Sequence, residues 1–170
     1  MIKFTTTRLT LWTLLLAMPL LFGSCKKDND DVTPATVEGN WKLTGLKYNP
    51  AVEYLIFGEV SDVYQVLASV AGDCLNELRF TFNSNGTTSL NNPPACQGTT
   101  DNLDGTVSLD DSSKWTLNGK NLTLTGSDGV AVTYDVTING NTMTLSAVRE
   151  LENFDGTKST TTETMTFTRA

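Results

Sequence analysis

Leu78-Arg79-Phe80-Thr81-Phe82-Asn83-Ser84-Asn85-Gly86-Thr87-Thr88-Ser89-Leu90 is the stretch that decides the fold. Leu78, Phe80 and Phe82 alternate with Arg79, Thr81 and Asn83, the period of two that gives a strand one apolar and one polar face. Asn85-Gly86 supplies the residues that tolerate positive φ in a tight turn, and Thr87 to Leu90 leads the chain back as a second strand. The stretch is a predicted β-hairpin.

The same grammar continues downstream. Further predicted strands are Gly105 to Leu109, Lys114 to Leu117, Asn121 to Thr125, Val130 to Ile138, Thr142 to Arg149 and Thr160 to Arg169. Asn118-Gly119, Asp128-Gly129, Asn139-Gly140 and Asp155-Gly156 mark the turns between them. Short connections specify an antiparallel meander, and a meander of about eight strands closes into a barrel because closure leaves no strand edge open. Outer positions such as Thr142, Thr144, Ser146, Thr164, Thr166 and Thr168 make a solvated β surface. Asn91-Asn92-Pro93-Pro94 interrupts both helix and ladder, which puts Cys96 in a loop.

Upstream, Gly39-Asn40-Trp41 opens the first strand, in which Trp41, Leu43 and Gly45 alternate with Lys42, Thr44 and Leu46 and Trp41 faces inward. Counting this strand gives nine candidates, so either Gly105 to Leu109 is irregular or a tenth is hidden. Between the first strand and the hairpin the period changes. Val52, Ile56, Val60, Val63, Leu67 and Val70 recur at steps of three or four and Gly72 follows, which predicts one helix, best defined from Ser61 to Ala71, with Gly58 interrupting anything longer.

The first residues have a different character. Lys3 and Arg8 precede an apolar run from Leu9 to Phe22 of about 14 residues, shorter than the roughly 20 needed to span a bilayer, as in a signal peptide. Leu21-Phe22-Gly23-Ser24-Cys25 resembles the lipobox of bacterial lipoproteins, with Phe22 where Leu is commonest. The resemblance implies removal of residues 1–24, a diacylglyceryl group on the Cys25 sulfur, and an acylated (palmitate-type) N-terminus. Acyl chains contribute about 0.8 kcal/mol per buried methylene, so two or more hold a protein on its membrane. Lys26-Lys27-Asp28-Asn29-Asp30-Asp31 begins a solvated tether over residues 25–37, and its composition resembles the tag that directs some lipoproteins to the outer face of the outer membrane. A calcium-binding cluster is the competing reading of that acidic run, but it offers no preorganised cage.

Residues 38–170 are then one domain. Losing Lys3 and Arg8 with the leader takes the formal net charge from −7 to −9, which argues against nucleic acid as a partner. Histidine is absent, and with it the commonest general base, zinc ligand and partner of a nucleophilic serine. No serine sits on a strand-to-helix elbow, and carboxylate pairs that could do acid and base work exist only as exposed loop residues, so the chain is not expected to be an enzyme or to carry a cofactor. Asp101, Asp104, Asp110 and Asp111 crowd one loop without a known calcium-loop spacing, and no metal site is expected there. With Cys25 taken by lipid, Cys74 and Cys96 are an even pair in an exported protein, most simply a disulfide. The alternative, a redox or metal-binding thiol pair, lacks C-x-x-C spacing and a third ligand.

The G-x-W of Gly39-Asn40-Trp41, the lipobox, and Cys74 followed by Leu-x-Phe-x-Phe and Asn-Ser-Asn-Gly-Thr together resemble the small lipocalin-like domain lipoproteins of bacteria. That implies a lipocalin- or calycin-like up-and-down barrel of about eight strands, with the helix between the first two. In an even-stranded barrel the first and last strands pair, which brings Trp41 beside Arg169 at one end. There the guanidinium stacks on the indole, as a late-strand arginine does in lipocalins, the alternative being an arginine in solvent one residue from Ala170. The resemblance also implies a small apolar or amphipathic ligand, lined by Leu78, Phe80, Tyr134, Val136, Met143 and Leu145. The other functional class is a non-enzymatic structural or protein- or glycan-interaction module on the bacterial surface, its barrel filled by its own side chains.

Overall fold

The computed structural model describes residues 37–54, 57–91, 93–96, 113–153 and 155–170. The leader, Cys25, the tether to residue 36, the predicted strand Gly105 to Leu109 and the aspartates at 101, 104, 110 and 111 lie outside the described residues.

The predicted hairpin is present as β3 (Arg79–Phe82) and β4 (Thr88–Asn91), paired from Arg79↔Asn91 to Phe82↔Thr88. Phe80 and Phe82 turn inward and are buried. Asn85 fixes the turn with its side chain, its Oδ1 accepting from the Thr87 amide at 3.1 Å and hydroxyl at 2.7 Å, while Gly86 takes a φ of 81°.

β1 (Gly39–Glu53) is the longest strand and pairs on both sides. Its first residues pair with β3, Trp41 lying opposite Phe80, and its other edge pairs with β9 (Lys158–Arg169) from Trp41↔Arg169 to Asn49↔Thr162. The register shifts between Leu43 and Gly45, where Thr44 is an extra residue and its hydroxyl bonds the Thr166 carbonyl at 3.2 Å. Such a bulge reverses the alternation. Leu46, which simple alternation from Trp41 puts on the outer face, is therefore fully buried, and Tyr48 follows it inside.

The meander continues through β5 (Lys114–Asn118), β6 (Asn121–Thr125), β7 (Ala131–Asn139) and β8 (Thr142–Glu152) to β9. Strand order is β4-β3-β1-β9-β8-β7-β6-β5. The two ends of this sheet meet at a Thr87↔Lys114 bridge, with the Thr88 amide donating to the Ser113 carbonyl and the Trp115 amide to that of Gly86, both at 2.8 Å. The result is a nearly closed antiparallel barrel of eight strands. The ninth described strand, β2 (Glu59–Asp62), pairs with the far part of β1 and stands outside this order.

The helix expected from Ser61 to Ala71 is present as α1 (Val63–Ala71), with Ser61 and Asp62 belonging to the end of β2, and a second short helix, α2 (Asp73–Glu77), follows Gly72. Asp62 caps α1, its Oδ1 accepting from the Gln65 amide at 3.3 Å, and Gly72 with φ 54° ends it. Val63, Leu67 and Leu75 are buried against the barrel, whereas Val70 is exposed. The Cys74–Cys96 disulfide joins α2 to the turn Pro94–Cys96 and closes a loop of 22 residues' separation.

Inside the barrel is one apolar cluster. Phe80 meets Phe167 and Phe82 meets Trp115 edge to face, at 5.8 and 5.9 Å between centroids. Burial of each such side chain contributes roughly 1.5–3 kcal/mol.

Candidate functional site

At one end of the barrel the Arg169 guanidinium carbon lies 4.2 Å from the centre of the Trp41 ring. Arg169 Nη1 donates to the Glu38 carbonyl at 3.1 Å, the Ala170 amide to the Asn40 carbonyl at 3.0 Å, and the Trp41 indole to the Val37 carbonyl at 2.7 Å. Gly39 makes room for this. Its φ is 122°, and a Cβ there would stand 2.8 Å from Arg169 Nη1. The arrangement is structural, since Trp41 has no exposed surface.

Above it the interior is filled. Leu78 and Phe80 are at most 4% exposed, and Tyr134, Val136, Met143 and Leu145 have no exposure at all. A side chain with no surface open to a water-sized probe borders no cavity of that size. These six residues form core, packed with Leu43, Leu122, Met165 and Phe167.

Polarity enters at the opposite end. On β9 the inward positions are Phe167, Met165, Glu163 and Thr161, and on β8 they are Met143, Leu145, Ala147, Arg149 and Leu151. Glu163 pairs with Tyr48 on one side and Ala147 on the other, so it sits one layer above the apolar core. Its side chain is 1% exposed. Arg149 Nη1 donates to Glu163 Oε2 at 2.7 Å and to the Tyr134 hydroxyl at 3.1 Å, and that hydroxyl lies 3.4 Å from Glu163 Oε1. Burial pushes the Glu163 carboxyl above its ordinary range, and Arg149 and Tyr134 hold it partly back. Tyr48 is pushed up as well, first by burial and then by the charge of Glu163. Thr161 ends the layer by donating to the Pro50 carbonyl at 2.6 Å.

Beside this cluster the sheet opens. The β7–β8 ladder runs from Asn139↔Thr142 to Asp135↔Ser146 and stops. Beyond that point Ala131 to Tyr134 pair with β6 and Ala147 to Glu152 with β9, with no ladder between β7 and β8 among the described residues. Because amides alternate along a strand, and that of Val136 points to β6, those of Ala131 and Thr133 point into the split. Arg149 lies just above the last pair. Its side chain is 23% exposed, and apart from the two bonds of Nη1 its guanidinium makes no hydrogen bond to a described residue. Val130 and Val148, two of the exposed large apolar residues, belong to the two sides of this split.

The outer positions Thr164, Thr166 and Thr168 leave Met165, Phe167 and Arg169 on the inner face of the last strand. Alternation with the same threonines puts Glu163 on that inner face as well, but its partner Arg149 emerges only from the β8–β9 register.

Residues 37–145 match the model of the lipocalin-like domain, more than half of the chain. The chain belongs to the lipocalin-like domain family. No curated protein and no solved structure matches it. The match to the lipocalin-like domain takes in Trp41, the hairpin and β5 to β7, and it ends before Arg149, Glu163 and Arg169.

Proposed function

We propose that the protein is a lipid-anchored lipoprotein of the bacterial cell envelope whose lipocalin-like domain binds a small apolar or amphipathic ligand at the end of the barrel marked by Arg149. Residues 1–24 export it, Cys25 carries the lipid, and the tether that follows holds the domain at the outer membrane, at its surface or periplasmic face. The tether ends before Val37, which is buried in the domain rather than part of the tether. It acts as a binder and not as an enzyme. The lipobox-like Leu21-Phe22-Gly23-Ser24-Cys25 and the acidic run after it support the anchor. The observation that carries the binding role is the split between β7 and β8, opening beside a half-buried guanidinium over a fully buried apolar floor.

That floor bounds the site. A ligand held here reaches the layer of Tyr134 and Glu163 and goes no deeper without displacing core side chains. The same floor favours the second reading, a filled barrel that serves as an interaction module and retains no ligand.

One preparation from the native host tests both parts. The wild-type protein should fractionate with membranes and release a co-purified amphiphile in native mass spectrometry, and Cys25→Ser should abolish the added acyl mass. Membrane retention without acyl mass would contradict the anchor. A ligand-free spectrum from gently extracted protein would favour the filled module.

A further inference from the structure

We infer that the β7–β8 split selects a neutral amphiphile, one whose head group offers an acceptor oxygen such as an ester or amide carbonyl, over fatty acids and over cationic amphiphiles. This rests on the binding role proposed above and specifies its ligand class.

Three features combine. The first is the balance of charge at Arg149. Its Nη1 is 2.7 Å from Glu163 Oε2, and Glu163 is 1% exposed, so the guanidinium already has a buried counter-charge. What it has left to offer is hydrogen bonds, since its remaining N–H groups bond no described residue. A ligand carboxylate would bring a second negative charge beside Glu163 without a second cation, and like charges in one partly desolvated site disfavour each other. A carbonyl oxygen accepts the same N–H groups without that cost.

The second feature is the rim. The turns and strand ends at this end carry exposed Glu53, Glu59, Asp128, Glu150, Glu152 and Asp155. Against them stand Lys114 and Lys158, and Lys158 is engaged by Glu150 at 2.6 Å. The field across the opening therefore opposes an approaching anion. A cation is drawn to the rim, but its head group then meets the Arg149 guanidinium.

The third feature is apolar. Val132 lies in the inward register of β7, with Val130 just before that strand, and Leu151 shares the inward register of β8 with Arg149. Val130 is 60% exposed, and Val132 and Leu151 are half-buried on the edge of the core. An acyl chain laid along these residues puts its head-group carbonyl within the reach of Arg149.

The test uses the full chain in lipid nanodiscs, labelled with 15N-arginine, and three eight-carbon probes: monooctanoylglycerol, octanoate and octyltrimethylammonium. Monooctanoylglycerol should shift the Arg149 Nε–H resonance saturably, with the other two at least tenfold weaker. In Glu163→Gln the counter-charge is gone, and octanoate should gain at least tenfold. Octanoate binding the wild type as tightly as the ester would overturn the inference on ligand class. Saturable binding that leaves Arg149 unmoved would overturn the site while sparing a binding role elsewhere. No saturable binding of any probe would remove the binding role itself.

Discussion

Gly39 and Arg169 are fitted to one another. Gly39 has φ 122° and its missing Cβ leaves the space that Arg169 Nη1 occupies. Arg169→Ala removes the stacking on Trp41 and the bond to the Glu38 carbonyl, and should cost about 1–3 kcal/mol in a thermal or urea melt. Gly39→Ala should cost about as much through backbone strain and collision with the guanidinium. The double variant should be less destabilised than the sum, because removing Arg169 removes the collision; strict additivity would deny the coupling. Glu163 gives a pH signature. Burial raises its folded pKa above that of the unfolded chain, so the folded state holds the proton more tightly. Stability from this group is then greatest below the ordinary glutamate range and falls as pH rises through the raised value. Glu163→Gln should flatten that decline in melts taken across the acidic range, and identical pH slopes for both proteins would contradict it.

Among the elements, those with one uninterrupted period were legible and those that combine two were not. Phe80 and Phe82 announced β3 by alternation, and Asn85-Gly86 announced the turn. The bulge at Thr44 left no mark in composition, since one extra residue reverses every later side chain without changing the residue types. The helix read over Ser61 to Ala71 is α1, but the same step pattern carried back to Val52 and Val60 belongs to two paired strands. Val52↔Val60 is a cross-strand pair, and a helical step cannot be told from it in so short a segment. The disulfide ties this irregular region down by linking α2 to the turn before the segment that leads to β5. Replacing both Cys74 and Cys96 by Ala should lower unfolding stability by roughly 3 kcal/mol in the chain-entropy model, with the barrel itself retained. A far-ultraviolet spectrum that lost its β signature would show instead that the bridge is required for folding.

At the scale of the whole molecule, barrel topology followed from turn spacing, because short loops leave successive strands no choice of neighbour. The Arg149–Glu163–Tyr134 cluster did not, because it depends on where the β7–β8 ladder ends, and no local pattern around Ser146 or Asp135 marks that place. This split is the proposed functional end of the domain, and the Trp41–Arg169 end is its structural floor. Amide hydrogen exchange on protein purified from its own host, before and after delipidation, tests that division directly. Delipidation should accelerate exchange at Thr133, Val148 and their neighbours in β7 and β8, while amides around Trp41 and Phe167 stay unchanged. Unchanged exchange at the split, or a change confined to the Trp41 end, would contradict the account.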